Sequence, residues 1–164
     1  MIELVRADDR LVHGLVAVSW TNALQPSILL VANDAAASNH LQQMTMKMAK
    51  PAGVTMAIKN LADAATILNN SKYATRRIFV VTANIADALT LSRVVPDIKK
   101  VNVGTAGIHY ATDQAVAITA GVKMTIDEFT AASALNAAGI EVFAETAPSQ
   151  ERVGFAGIKK AFSH

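Results

Sequence analysis

The sequence predicts an α/β fold: an open, mainly parallel seven-stranded sheet with helices on both faces. Three observations carry that expectation. Short apolar runs rich in β-branched residues alternate with helix-length stretches from end to end, the order expected of βαβ units. Most of those runs are near-continuous and do not alternate apolar with polar, as in parallel strands covered on both faces. The 164 residues are 52% hydrophobic and only 17% charged. That is enough apolar material for one self-sufficient domain over 1–164, and it excludes a disordered chain.

Each element has its own signal. The first strand is Ile2–Val5, followed by a charged loop and a helix over Gly14–Leu24. Ile28–Val31 is the second strand, after which Asn33-Asp34 forms an Asx turn into a helix around Ser38–Ala49. Pro51 and Gly53 end that helix before the third strand, Val54–Ile58. Asn60 caps the next helix with Asp63 three residues on, and Asn84 with Asp87 repeats the device after the fourth strand, Ile78–Thr82. Pro96 separates that helix from the fifth strand, Val101–Val103, and Ala115–Ile118 is the sixth. Thr125-Ile126-Asp127-Glu128 is a full capping box. It opens a helix that closes at Gly139, placed for a left-handed cap, and Ile140–Phe143 is the seventh strand. Met44, Met46, Met48 and Met56 read as core filler.

Composition excludes several classes of function. Alanine supplies 31 residues, which suits small-residue helices lying close on a sheet. The longest apolar runs, Ile28–Ala32 and Ile78–Val81, are far shorter than the ~20 residues of a membrane span. No direct membrane insertion is expected. Met1-Ile2-Glu3-Leu4-Val5-Arg6 has no basic stretch ahead of a long apolar one, so a cytoplasmic location without a signal peptide is expected. The absence of cysteine excludes a disulfide framework, thiol catalysis and a cysteine zinc site. Neither metal nor any other cofactor is expected. A net charge of +2 is too small to argue for nucleic acid.

In open parallel sheets, ligands sit beyond the carboxyl ends of the strands at a topological switch point. That confines the search to residues 6–14, 33–37, 82–84 and 102–107. The first loop, Arg6-Ala7-Asp8-Asp9-Arg10-Leu11-Val12-His13-Gly14, is the richest. His13 stands at a helix start, where free amides and the macrodipole favour a bound anion and favour a neutral imidazole. Arg10 has the planar fork for phosphate or carboxylate oxygens. Asp8 and Asp9 orient the imidazole or hold the loop, and Gly14 leaves room for a ligand. The chemistry suggested is phosphoryl transfer through a phosphohistidine. The plainer alternative has Asp8 and Asp9 capping the helix with Arg10 paired to them at the surface. Among the other histidines, His40 falls in the first turn of an exposed helix, His109 lies near the fifth strand's carboxyl end, and His164 is terminal. Asn33-Asp34 is at the sheet edge where it could hydrogen-bond the first loop. Val101-Asn102-Val103-Gly104-Thr105-Ala106-Gly107 is a weak phosphate signal without a P-loop lysine. Two regulatory alternatives are a nucleotide- or anion-binding module and a receiver. The first wants a glycine fingerprint in the first loop, which is charged instead. The second wants an aspartate after the third strand, where the chain has Lys59-Asn60.

The stretch Arg6 to Val16 followed by Trp20 closely resembles the active loop of the IIB components of bacterial sugar phosphotransferase systems. The subgroup is the mannose/fructose/sorbose/N-acetylgalactosamine family, with its pattern of Arg, an Asp-rich turn, Arg-Leu-Ile-His-Gly-Gln-Val and a later Trp. The resemblance continues through Val31-Ala32-Asn33-Asp34, Val101-Asn102-Val103-Gly104 and Val122-Lys123-Met124-Thr125, and so covers nearly the whole chain. It implies a seven-stranded, mainly parallel sheet and transient phosphorylation of His13, with Nδ1 the favoured nitrogen. Phosphate would arrive from a phosphorylated IIA protein or domain and leave for a mannose-, sorbose- or N-acetylgalactosamine-type sugar held by membrane IIC and IID proteins. Peripheral association with that complex is implied as well. Arg10, Asp8 and Asp9 would join His13 in catalysis. Arg6, Leu11, Val12, Gly14, Asn33, Asp34, Asn102 and Gly104 would bind phosphate or support the site. Leu11, Val12 and Leu15 would form an apolar collar around His13, with Arg6, Arg10 and Lys99 or Lys100 as a basic rim. Two positions depart from the pattern: Leu15 where Gln is usual, and Thr105 where a second glycine commonly follows.

Overall fold

The computed structural model describes residues 1–107, 110 and 113–163; the expectations for His109 and His164 lie outside the described residues. The central strands β1 (Ile2–Ala7), β2 (Ile28–Ala32), β4 (Ile78–Thr82) and β5 (Lys100–Val103) form where the apolar runs are densest, with β3 (Thr55–Lys59) beside β2. Every residue of β2 and β4 is buried, whereas β3 is half-exposed. That contrast is what separates interior strands from an edge. The sheet order is β3-β2-β4-β1-β5 and then the strands Glu141–Ala144 and Val153–Gly154. All pairings are parallel except the last.

Two strand expectations need correction. Ala115–Ile118 does not join the main sheet. Ala115–Ala117 (β6) pairs antiparallel with Lys123–Thr125 (β7) in a separate ribbon. Its residues are half-exposed, so the run never had the burial of an interior strand. The seventh place in the sheet belongs to Val153–Gly154 (β9), antiparallel to Glu141–Ala144 (β8). A two-residue strand containing glycine carries no periodicity to read.

Helices cover both faces. On one side α1 (Gly14–Leu24), the single turn α2 (Asp34–Ala37) and α3 (His40–Met48) bury Ala17, Trp20, Ala36 and Met46 against Leu4, Leu29, Val31, Phe79 and Val81. On the other, α4 (Leu61–Asn69), α5 (Ile85–Ser92), α6 (Ile126–Ala137) and α7 (Phe155–Ala161) pack on Val5, Ala7, Leu30, Val80 and Val101. Asparagine caps recur: Asn33, Asn39, Asn60 and Asn84 each accept from the third amide of their helix. The helix expected at 38–49 is α3, and α2 is a separate capped turn ahead of it. Only Met46 is buried among the α3 methionines, while Met44 and Met48 are exposed, Met48 at 87%. At ~100° per residue, positions two away from a core residue face outward, so Met44 and Met48 are not core filler. Gly139 follows α6 with φ +85°, a left-handed conformation in which glycine carries no Cβ penalty.

The capping box at Thr125 is complete. Its hydroxyl accepts from the Glu128 amide, and the Glu128 carboxylate accepts from the Thr125 amide. Thr125→Ala removes one arm at a cost of about 1 kcal/mol. A Tm decrease of about 2–4 °C is the expected outcome for a domain of this size, measured by thermal unfolding.

Candidate functional site

The site grows out of β1. Side chains alternate along a strand, so Leu4, Arg6 and Asp8 point to the face covered by α1. The ladder runs one step past the strand on both sides: the Asp8 amide donates to the Thr82 carbonyl at 3.0 Å and the Gly104 amide to the Ala7 carbonyl at 2.9 Å. Asp8 is thereby fixed at the carboxyl edge between β4 and β5. The helix after β1 lies on one face, while the helix after the neighbouring β4 lies on the other. This divergence marks the switch point at which ligands bind in open sheets.

Asp8 is fully buried and its carboxylate accepts from five donors. Oδ1 takes the Arg10 amide and Arg10 Nε, both at 3.0 Å. Oδ2 takes Arg6 Nη2 at 2.8 Å, Arg10 Nη2 at 3.0 Å and His13 Nε2 at 3.0 Å. Burial pushes the Asp8 carboxyl up, but the hydrogen bonds from His13 and Arg10 and the charge of Arg6 outweigh it. The group is held well below the usual carboxylate range. An ionised carboxylate only accepts, so Nε2 bears a proton, and in the neutral ring the lone pair is then on Nδ1.

Arg6 is 2% exposed. Besides Asp8 it donates through Nη1 to Asn102 Oδ1 at 2.5 Å and to the Glu145 carbonyl at 3.1 Å. The parallel register sets Arg6 opposite Asn102, and Asn102 Nδ2 donates to the same Glu145 carbonyl. A Cβ at Gly104 would come within 2.2 Å of the Arg6 guanidinium carbon, so glycine is required where β5 passes that side chain. Burial lowers the Arg6 pKa, against the stabilising charge of Asp8. Arg6 is thus a buried support for Asp8 and no part of a basic rim.

Arg10 is 28% exposed and also donates to the Gly104 carbonyl at 3.2 Å. The turn that brings it over Asp8 closes with the Leu11 amide on the Asp8 carbonyl at 2.9 Å. It leaves Leu11 at φ +54°, a sparsely populated region for a branched side chain. Leu11 and Val12 are buried against Leu4 and Trp20, and that packing holds the turn. They underlie the loop and do not collar His13. His13 is the N-cap of α1, in extended conformation, and its side chain makes no capping hydrogen bond. Its ring is 25% exposed. The α1 amides ahead of Ala17, whose own amide bonds the His13 carbonyl at 3.3 Å, lack helical acceptors and aim past the helix start. Gly14 has φ +43° and nothing within 4 Å of a would-be Cβ, so its conformation, and not ligand room, calls for glycine.

The remaining expectations divide. Thr105 is buried, with its hydroxyl on the Ala7 carbonyl at 3.4 Å, and Leu15 is 82% exposed; neither touches the Asp8 cluster. Asn33 caps α2, and Asp34 Oδ1 accepts from the Leu61 amide. Both serve the β2 and β3 loops, a strand away from the histidine. Asp9 turns its charge toward Tyr110, whose hydroxyl is pushed up by burial, then Glu128, then Asp9. The orienting carboxylate is Asp8. Lys99 and Lys100 stand at the amino end of β5, the opposite edge of the sheet, and form no rim. The carbonyls of Glu145 and Thr82 were not legible, because main-chain acceptors leave no mark in residue type. Among the described residues no group of acidic or histidine side chains could hold a metal, and no helix is long and apolar enough to cross a membrane.

This fold is that of the IIB components of sugar phosphotransferase systems. The IIBSor domain of the sorbose permease from Klebsiella pneumoniae matches with a TM-score of 0.87 at 24% identity, over 98% of this chain and 97% of that one. The manxB protein from Thermoanaerobacter tengcongensis matches at 0.90 and 21% identity, over 100% and 98%. These likenesses are of fold. Sequence makes the family assignment: the model of the PTS system sorbose subfamily IIB component matches residues 2–162. A probable phosphotransferase enzyme IIB component from Streptococcus pyogenes is 39% identical over 93% of this chain and 96% of its own length. The N-acetylgalactosamine-specific phosphotransferase enzyme IIB component 2 of Escherichia coli is 33% identical over 93% and 94%. The mannose-specific EIIAB component of Escherichia coli is 32% identical over 87% of this chain, which spans only 43% of that protein. The chain belongs to the sorbose subfamily of phosphotransferase-system IIB components.

The Asp8 cluster gives the molecule an acid limb. A carboxyl held below its unfolded value of about 3.9 stabilises the fold above that pH, and the contribution is lost as pH falls toward the folded value. Wild type should lose stability progressively below about pH 4. Asp8→Asn leaves Arg6 buried without its counter-charge, a loss of about 3 kcal/mol or more, and should flatten that limb. Urea unfolding between pH 2.5 and 7 measures both, and an unchanged acid limb in Asp8→Asn refutes the assignment.

Proposed function

We propose that His13 is the phosphoryl carrier of this IIB component. It takes phosphate from phosphorylated IIA and passes it to a mannose-, sorbose- or N-acetylgalactosamine-type sugar held by membrane IIC and IID proteins. The single observation that carries this reading is the imidazole itself: Nε2 is bound to Asp8, and Nδ1 is left with its lone pair at a partly exposed helix start. Loading is an in-line exchange in which Nδ1 attacks phosphorus while the donor's P–N bond breaks and the electron pair leaves with the donor imidazole. The Nε2 proton stays on the ring, facing a carboxylate that offsets the positive charge developing there. Transfer to sugar reverses the roles: a sugar hydroxyl attacks, the P–N bond to Nδ1 breaks, and the hydroxyl proton is released.

Positioning and charge account for most of the catalysis in phosphoryl transfer. Arg6 and Arg10 together outweigh Asp8 by one positive charge, and the free amides of α1 add partial charge of the same sign. Arg10 is the arginine with an exposed edge, so it is the residue assigned to hold the phosphoryl oxygens; Asp9 is assigned to the shape of the loop. The protein works in the cytoplasm, docking on the transporter from its inner side. The reaction as written calls for no metal or organic cofactor.

His13→Ala should abolish phosphate uptake from phospho-IIA while leaving the thermal transition in place, read by intact-mass spectrometry after incubation with phosphoenolpyruvate and the general phosphotransferase proteins. A variant still phosphorylated, at His40 or His109, would overturn the assignment. Arg10→Lys keeps charge but loses the planar fork. Transfer should slow about tenfold, the equivalent of ~1.4 kcal/mol, in a quench-flow assay. Wild-type rates would mean that Arg10 serves only the loop.

A further inference from the structure

Trp20, the one tryptophan in the chain, stands two helical turns after His13, on the same side of α1. It is 4% exposed, so no docking protein reaches it. Its ring lies over the Arg6 guanidinium, 5.5 Å from ring centre to Cζ, within range of a cation–π contact that strengthens when desolvated. Its Nε1–H donates to the Thr146 carbonyl at 3.0 Å. The neighbouring carbonyl, that of Glu145, is the one that receives both Arg6 Nη1 and Asn102 Nδ2. The indole therefore touches Arg6 directly and also fixes the chain segment that supplies Arg6 with an acceptor. Arg6 in turn shares Asp8 Oδ2 with His13 Nε2.

We infer that Trp20 is a positioning residue for phosphoryl transfer, which acts through Arg6 and Asp8 to hold His13 with its proton on Nε2 and its lone pair on Nδ1. The inference rests on the carrier reading of His13, and it reaches a residue whose type alone suggests only core filling. The physical basis is that a guanidinium has two faces and five donors. Three hydrogen bonds hold its edge, and packing on its faces adds the restraint against tilting out of that plane. At Gly104 the Arg6 guanidinium fills the space a Cβ would take, so β5 confines it on that side, and the indole restrains it from the α1 side. Without the ring, Arg6 gains freedom to rotate, Asp8 Oδ2 loses a fixed donor, and the carboxylate no longer holds one orientation toward the imidazole.

Three measurements test this. In ¹⁵N NMR of the free protein, His13 should show the Nε2–H tautomer. Trp20→Leu should show both tautomers in exchange, and Trp20→Phe, which keeps a ring over Arg6, should restore most of the wild-type pattern. With phospho-IIA as donor, Trp20→Leu should lower the transfer rate at saturating donor about tenfold and leave the half-saturating concentration within twofold of wild type. In the wild type itself, the Trp20 indole N–H resonance should shift as His13 is titrated. That measurement decides the matter if Trp20→Leu does not fold: a shift supports the coupling, and a resonance constant through the titration overturns it. A folded Trp20→Leu with the wild-type tautomer pattern, or with a change only in half-saturation, also overturns it. The NMR comparisons need no phosphate donor. A wild-type protein that takes no phosphate from IIA would refute the carrier reading and still leave the Trp20 coupling to be judged.

Discussion

A single buried carboxylate organises this molecule's carboxyl edge. Asp8 is inaccessible to solvent, and a bare charge in that position would be too costly to keep ionised. Its five donors make it tenable, and they come from three residues held by different parts of the fold. Arg6 comes from the same strand, Arg10 from the turn, His13 from the start of α1. Those requirements propagate outward. Arg6 needs Asn102 opposite it, which fixes the β1–β5 register, and it needs a glycine at 104. Arg10 needs a turn tight enough to place Leu11 in the left-handed region. A buried ion cluster of this kind is poor value as stability alone, since desolvation offsets most of the Coulomb gain. What it supplies is one fixed geometry for the imidazole.

The sheet decides where that geometry is displayed. Because α1 leaves β1 on one face and α5 leaves the adjacent β4 on the other, the strand ends between them are not roofed by a helix. His13, at the cap of α1, opens onto that gap with a quarter of its ring exposed. The buried strands below are nearly invariant in character: Val5, Val80, Val101 on one side, Leu29, Val31, Phe79 on the other. Rigid packing of this density is what lets a loop residue be positioned to the precision that transfer chemistry demands.

Much of this was legible in the chain because the determining contacts are local. Asn caps, the Thr125–Glu128 box and the Gly139 terminator act within four residues, so the helices they bound could be read directly. The charged loop of residues 6–13 stood out as the candidate site for a similar reason: four charges and a histidine gather between a buried strand and a helix. What escaped depends on contacts distant in sequence. Whether Arg6 faces solvent or core is set by the parity of β1 and by Asn102, 96 residues away. The β6–β7 ribbon and the two-residue β9 exist through pairing and not through propensity. Lys99 and Lys100 read as neighbours of the site only until strand direction assigned them to the other edge.

The arrangement also bears on how one histidine can both receive and give up phosphate. On the carrier reading, a phosphoryl group at Nδ1 brings negative charge to the side of the ring opposite Asp8. If the carboxylate stood beside Nδ1, it would repel the incoming group; on Nε2 it holds the ring proton and stabilises the cation that forms during transfer. Arg10 at rest is committed to Asp8 through Nε and Nη2, so any contact it makes to phosphate draws on a guanidinium already held in place. Arg6 and Asn102 ensure that Asp8 stays put if Arg10 shifts its weight toward the phosphoryl oxygens. The two arginines thus divide the work by depth. The buried one keeps the carboxylate fixed, and the exposed one can exchange a carboxylate oxygen for a phosphate oxygen at similar electrostatic gain. Such a near-balance suits a carrier, because phosphate bound too firmly at His13 would not leave for a sugar.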